Sequence, residues 1–221
     1  MMKYKAVIFD LDGTLLYTLG DIALAVNKVL SELDMPTHPE KSYMEFVGHG
    51  LKETLKRACI DDCPEDILEK GYVRVMEEYS NNPVISTKPY EGIPQLLDSL
   101  VAKGIKIAIL SNKEDPLVKY IAGKLLSSWP FITIQGILPD VPKKPDPFVV
   151  YQILKDMNIE QSEAIFIGDS GVDMKTSVNS GLLGVGVTWG YRDIVELTEA
   201  GAGILIDKPD ELLRILTSNN E

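Results

Sequence analysis

Four carboxylates and a lysine in this chain are spaced so that they can act together. Asp10 and Asp12 flank one residue, so both can project from one face at the end of an extended segment. Gly13 and Thr14 follow and let the chain turn sharply beneath them. Two carboxylates this close repel unless a cation sits between them or one keeps a proton. Such a pair can divide the labour of group transfer, one as nucleophile and the other as acid and then base. A strand-end turn with two solvated aspartates uses the same residues.

Asp169 and Asp173 lie four residues apart, one helical turn, and point the same way if a helix starts near Ser170. Asp169 or Ser170 also suits the N-cap of that helix. Carboxylates converging on one crevice imply a hard divalent metal, and oxygen-only ligation favours Mg²⁺. The two histidines, His38 and His49, fall elsewhere in the chain, which argues against zinc. Lys144 stands in KKPDP, where Asp146 as N-cap and Pro147 at the first helical position would start a helix. A lysine held there can neutralise a phosphoryl group or an ionised nucleophile, although a surface loop lysine would look the same. Ser111 and Asn112 offer hydroxyl, amide and backbone donors suited to phosphate oxygens, with Lys113 beside them; they are equally good turn residues.

These residues need elements to position them. YKAVIFD at the start is a short apolar run, and similar runs recur at 105–111, 132–136, 164–169, 183–189 and 203–207. Continuous rather than alternating runs suit parallel strands covered on both faces. Helical patterns lie between most of them, at 93–103, 116–126, 147–157 and 173–180. The alternation predicts an α/β fold, a doubly wound, Rossmann-like parallel sheet. From Leu16 to Asn82 there is no strand-like run, only apolar spacing of three and four, as in Ile22, Ala25, Val26, Val29, Leu30 and Leu33. The expected organisation is a core of residues 1–15 and 83–221 with an all-helical insertion at 16–82, reached by two crossings. Ligands of open parallel sheets bind beyond the carboxyl ends of the strands, where Asp10, Asp12, Ser111–Lys113 and Asp169 fall.

Composition narrows the partners. Of 221 residues, 22 are basic and 33 acidic, a net charge of −11. That balance argues against nucleic acid and against an anionic membrane surface, both of which require clustered Lys and Arg. Cys59 and Cys63 cannot make a disulfide framework or a four-ligand zinc site; their spacing of four suits half-buried thiols on one helix face. The N-terminal apolar run is too short for a signal peptide, and no stretch approaches the ~18 apolar residues of a membrane span. A soluble, cytoplasmic protein, monomer or homodimer, acting on a small phosphoester is the expectation.

Taken in order, DLDGTL (10–15), SNK (111–113), KKPDP (143–147) and GDSGVD (168–173) resemble the haloacid dehalogenase superfamily. The resemblance spans nearly the whole chain, with the helical insertion where one class of that superfamily carries its cap. It implies Asp10 as nucleophile and Asp12 as general acid/base. It implies Mg²⁺ on Asp10, the Asp12 backbone carbonyl and Asp169, with Asp173 supporting metal waters and Lys144. Ser111 and Lys144 would hold the phosphoryl oxygens. Asp12 itself favours phosphoryl transfer over dehalogenation, because attack on carbon leaves no alkoxide to protonate.

Within the superfamily the chain looks most like the phosphoglycolate phosphatases, through DIALAVN (21–27), FVGHGLKETLKRA (46–58), PYEGI (89–93), SNK and VTWGYR (187–192). Tyr17 departs from the Asp or Asn common at its position. Asn112, Lys113 and the cap segment Gly48, His49, Gly50 and Lys52 are candidates for substrate binding, the last group through helix-start donors and a cation that read a substrate carboxylate. Tyr191 and Arg192 read as loop packing and surface charge, and Trp129 as a core or loop anchor. A pyrophosphatase, a sugar-phosphate phosphatase or mutase, and a non-catalytic phosphate-binding module are the competing readings.

Overall fold

A computed structural model describes residues 3–60 and 63–217. Eight strands are present among them: β1 (Ala6–Phe9), β2 (Leu16–Tyr17), β3 (Lys88–Pro89), β4 (Lys106–Glu114), β5 (Thr133–Ile137), β6 (Ala164–Gly168), β7 (Leu183–Val187) and β8 (Ile204–Ile206). Six form one parallel sheet in the order β5-β4-β1-β6-β7-β8. Counted along the chain that is 3-2-1-4-5-6, whose order reverses between β1 and β6. All six apolar runs of the sequence became these strands; β1 and β6, at the centre, are buried along their whole length, while the edge strands β5 and β8 are partly exposed.

The period of two sorts the side chains. Val7 and Phe9 of β1 face one apolar cluster, while Ala6 and Ile8 face a second beneath the helix that follows β5. The helices are α1 (Leu19–Glu32), α2 (Tyr43–Phe46), α3 (Leu51–Ala58), α4 (Glu65–Asn81), α5 (Ile93–Ala102), α6 (Asp115–Leu125), α7 (Phe148–Met157), α8 (Gly171–Ser180), α9 (Ile194–Glu199) and α10 (Leu212–Thr217). Val149, Val150, Ile153 and Leu154 of α7 fill the second cluster. The first is larger and runs without a break from the sheet into α1, α3 and α4. None of the described helices is long and apolar enough to cross a membrane.

Four details differ from the sequence expectations. β2 and β3 pair antiparallel, Leu16 opposite Pro89 and Tyr17 opposite Lys88, so the chain leaves for the helical segment and returns through a short ribbon; two-residue strands leave no periodicity to read. β4 does not stop at Ser111 but continues to Glu114, and its register with β5 slips between Leu110 and Glu114. α7 starts at Phe148 with Pro147 in the capping position, although Asp146 Oδ1 still accepts from the Phe148 N–H at 2.8 Å. α3 ends at Ala58, so Cys59 and Cys63 do not share a helix face; both are half-buried free thiols. Trp129 donates from Nε1 to Asp98 at 2.8 Å and packs half-buried against the larger core, as an anchor would.

Asp21, in the first turn of α1, fixes the returning chain. Its buried carboxylate accepts from the backbone N–H groups of Ile85, Ser86 and Thr87 at 2.9 Å each, and from both hydroxyls at 2.7 and 2.6 Å. Burial pushes its carboxyl up, but the bonds from Thr87 and Ser86 outweigh that and hold it below the usual Asp value.

Candidate active site

β1 and β6 lie side by side, Phe9 opposite Ile167, and each ends in an aspartate. Asp10 continues the ladder by donating its N–H to Ile167 O at 2.9 Å. Asp169 follows β6, and Ser170 then starts α8 in a capping box: Asp173 Oδ2 accepts the Ser170 N–H at 3.1 Å while the Ser170 side chain accepts from the Asp173 N–H. The first turn thereby brings Asp173 back beside Asp169. One oxygen from each of Asp10, Asp169 and Asp173 lies within 4.8 Å of the others, and all three residues are buried. The crevice sits where the strand order reverses, as open α/β sheets favour.

Space for this cluster comes from glycine. A Cβ on Gly13, which has φ +83°, would stand 2.2 Å from Asp169 Oδ2, and one on Gly190 would stand 2.2 Å from Asp169 Cβ. The Tyr191 N–H donates to Asp169 Oδ2 at 2.7 Å.

Lys144 Nζ lies 2.9 Å from Asp10 Oδ1 and 2.6 Å from Asp173 Oδ1. Burial pulls its pKa down, but the charges of Asp10 and Asp173 outweigh that and raise it. One ammonium does not balance three buried carboxylates. Burial, then the Asp173 charge, pushes Asp10 up to about 7 against the opposing pull of Lys144. Burial and the charges of Asp173 and Asp10 push Asp169 well above its usual value. Asp10 Oδ1, although beside Lys144, accepts no aligned hydrogen bond. Three buried oxygen donors, an excess of negative charge and an oxygen lacking a donor together fit a hard divalent cation.

Asp12 faces the same cavity but is held differently. Its Oδ1 accepts from Lys113 Nζ at 2.5 Å and Thr18 Oγ1 at 2.6 Å. Lys113 also donates to the Tyr79 hydroxyl of α4 at 3.0 Å, and Tyr191 OH accepts the Thr18 N–H at 3.0 Å. Asp12 contributes no side chain to the three-carboxylate cluster.

A partly enclosed cavity of about 40 Å³ adjoins these groups, room for a few water molecules. Asp10, Asp12, Ser111, Asn112, Lys113 and Asp169 line its floor, and Ile22 of α1, Val47, Gly48, Gly50 and the first turn of α3 form its roof. Ser111 Oγ accepts from the Lys113 N–H at 3.2 Å. The slip between β4 and β5 turns this triplet toward the cavity, as irregular strand positions do beside sites. Asn112 is committed elsewhere: its amide bonds both the N–H and the carbonyl of Lys144, and also Gly48 O.

The expected carboxylate reader at the start of α3 is not free for that purpose. Leu51 N–H already donates to Glu114 Oε1 at 3.2 Å, which Tyr72 OH also reaches at 3.3 Å. Lys52 points away and pairs with Glu65 and Glu69 outside the cavity. The His49 ring borders a separate surface groove, and its main-chain oxygen accepts from Lys143. The short helix start was legible in the sequence; the core glutamate that occupies it was not. Arg192 belongs to the site rather than to the surface, and Tyr191, which packs in the larger core as expected, lines the site as well. They follow β7, so the strand-end rule that singled out Asp169 applied to them too.

The sequence pattern of the haloacid dehalogenase-like hydrolases matches residues 7–187. The phosphoglycolate phosphatase of Aquifex aeolicus is 32% identical over 216 residues, covering 97% of this chain and 98% of that one. The phosphoglycolate phosphatase of Neisseria meningitidis is 32% identical over 204 residues, covering 90% and 86%. The solved structure of a haloacid dehalogenase-like family hydrolase from Streptococcus pneumoniae shares the fold at a TM-score of 0.86 with 24% identity, covering 97% and 99%.

Proposed function

Because this chain belongs to the haloacid dehalogenase-like hydrolases, we propose that it hydrolyses a small phosphomonoester, 2-phosphoglycolate, through an aspartyl-phosphate at Asp10. The observation that carries the reading is the convergence of Asp10, Asp169 and Asp173, with Lys144 reaching Asp10 and Asp173 and Asp12 held at their edge.

In the first step an Asp10 oxygen forms a bond to phosphorus while the bond to the ester oxygen breaks, and Asp12 protonates the departing alkoxide. Lys113 and Thr18 both contact Asp12 Oδ1, so Oδ2 is the oxygen that carries the proton. In the second step Asp12 takes a proton from water as it attacks phosphorus, releasing phosphate and restoring Asp10. Lys144 and Ser111 hold the phosphoryl oxygens, where positioning and charge supply most of the acceleration. A divalent cation, Mg²⁺ by the hardness of its donors, supplies further neutralisation of those oxygens when held by Asp10, Asp169, the Asp12 carbonyl and, at one remove, Asp173.

Residues 16–82 act as a cap that closes over the crevice and excludes bulk water until substrate is seated. The two relatives named above support phosphoglycolate itself. Phosphate release from 2-phosphoglycolate, pyrophosphate and hexose phosphates, with Mg²⁺ and with EDTA, tests the reading. Turnover led by phosphoglycolate and abolished by EDTA is expected; turnover led by another ester overturns the substrate, and robust turnover by Asp10→Asn overturns the nucleophile.

A further inference from the structure

A phosphoester with an acidic tail brings two anions into the cavity, and the phosphoryl group claims Lys144. The tail requires its own cation. Lys113 is committed to Asp12 and Tyr79, Lys52 lies outside, and Glu114 already occupies the N-terminus of α3. Arg192 remains, and it lines the same cavity as Asp10 and Ser111.

Its guanidinium is bonded through Nη2 and Nε and left without a partner at Nη1. Nη2 donates to Val47 O at 2.7 Å and to Glu45 O at 3.3 Å, and Nε lies 3.2 Å from Glu196 Oε2. Nη1 is buried and has no partner. A buried donor left unsatisfied costs free energy that a ligand acceptor would recover, and a charge-assisted bond from Arg is among the stronger ones available. The preceding residue, Tyr191, bonds Asp169 through its N–H, so the guanidinium is tethered one residue from the carboxylate cluster. Ile22, Val47 and Leu51 give the same cavity apolar lining, which suits a methylene between two anionic ends.

We infer that Arg192 is the specificity residue of this site, its Nη1 donating to the carboxylate of the substrate while its Nη2 holds the cap backbone at Glu45 and Val47. The inference rests on the proposed phosphoglycolate activity. It also makes binding and closure one event: a tail that orders the guanidinium orders the cap contacts made by the same group.

The test compares 2-phosphoglycolate with 2-hydroxyethyl phosphate, which has a similar length and a neutral tail, in the wild type, Arg192→Gln and Arg192→Lys. The wild type prefers the acid ester. In Arg192→Gln the ratio of the two kcat/KM values falls about tenfold or more, mainly through KM for the acid ester, as loss of a charge-assisted bond predicts. Arg192→Lys keeps the charge and retains part of the ratio. Inhibition by inorganic phosphate, which reports on the Lys144 end alone, stays within about threefold and shows that the site is folded. An equal loss on both esters means that Arg192 only holds the cap, and it overturns the inference while the substrate assignment stands. A wild type with no preference for the acid ester overturns the assignment itself, and the inference with it.

Discussion

Asn112 brackets Lys144 from both sides: its Oδ1 accepts the Lys144 N–H and its Nδ2 donates to the Lys144 carbonyl, each at 3.0 Å. A side-chain amide thus takes the place of a neighbouring strand and fixes the peptide that carries the lysine. Lys144 Nζ reaches Asp10 and Asp173 because its backbone has no freedom to withdraw.

Asn112→Ala should therefore reduce turnover without touching substrate. Misplacing a charged group by about 1 Å can cost on the order of a hundredfold, and kcat/KM is expected to fall between tenfold and a hundredfold by that estimate. Steady-state kinetics on phosphoglycolate checks this; a variant with unchanged kcat/KM would show that Lys144 is held without the bracket.

Gly190→Ala places a methyl group where Asp169 stands. The contact is with a side chain whose own backbone is fixed at the end of β6, so neither partner can give way cheaply. We expect a folded protein that has lost Mg²⁺-dependent activity. If it is as active as the wild type at ordinary Mg²⁺ concentration, the packing of Asp169 against Gly190 does not matter to catalysis.

Adding Mg²⁺ to EDTA-treated protein should stabilise it, because the ion offsets repulsion among Asp10, Asp169 and Asp173 that exists only in the folded chain. At a hundredfold excess over Kd the gain is about 2.7 kcal/mol. Thermal unfolding with and without Mg²⁺ measures it, and Asp169→Asn should abolish most of the shift. A shift of equal size in that variant would place the ion elsewhere.

Lys113→Met removes the donor that orients Asp12 and leaves a partly buried carboxylate without its closest cation. Loss of kcat by about tenfold to a hundredfold is expected, as for a misplaced general acid. Tyr79→Phe deletes only the second contact of the lysine and should cost far less. Equal losses in the two variants would mean that the lysine serves the fold through Tyr79 rather than Asp12.

Asp21→Ala leaves three backbone N–H groups at 85–87 without their acceptor, and a loss of about 3 kcal/mol is expected from bonds to a charged group. The sign with pH follows from the lowered pKa. The folded state holds this carboxylate ionised where the unfolded chain protonates it, so the contribution is complete above about pH 5 and shrinks as pH falls below the ordinary Asp value. Denaturant titrations of both proteins at pH 7 and pH 3 should therefore show a difference that narrows at acid pH; a constant difference would assign the effect to packing.

The catalytic end of the molecule was legible because buried parallel strands write themselves as unbroken apolar runs, and a carboxylate after such a run has one place to go. Asp10 and Asp169 could be placed on that logic alone, and Asp173 by one turn of helix. Arg192 also follows a strand, but its hold on the helical segment left no signal, because the partners there are main-chain oxygens at Glu45 and Val47, far away in sequence and without a residue type of their own. Glu114 escaped for the same reason: its partner is the N–H of Leu51. The ribbon of Leu16–Tyr17 with Lys88–Pro89 is too short to leave a pattern. Sequence shows what an element is made of more readily than which distant backbone group it meets.

That ribbon has a consequence for the order in which the chain finds its fold. β1 and β4 are partners, Ala6 opposite Lys106, and pairing them directly would close a loop of about a hundred residues. Once Leu16 meets Pro89, with Asp21 gripping 85–87, the chain still to be closed is only about thirty residues, and the closure entropy falls by about 1 kcal/mol. The helical excursion becomes a side branch, and β1 and β4 come together as near neighbours. The junction between the sheet and the helical segment is thus a shortcut by which the sheet can nucleate before the helical segment has settled.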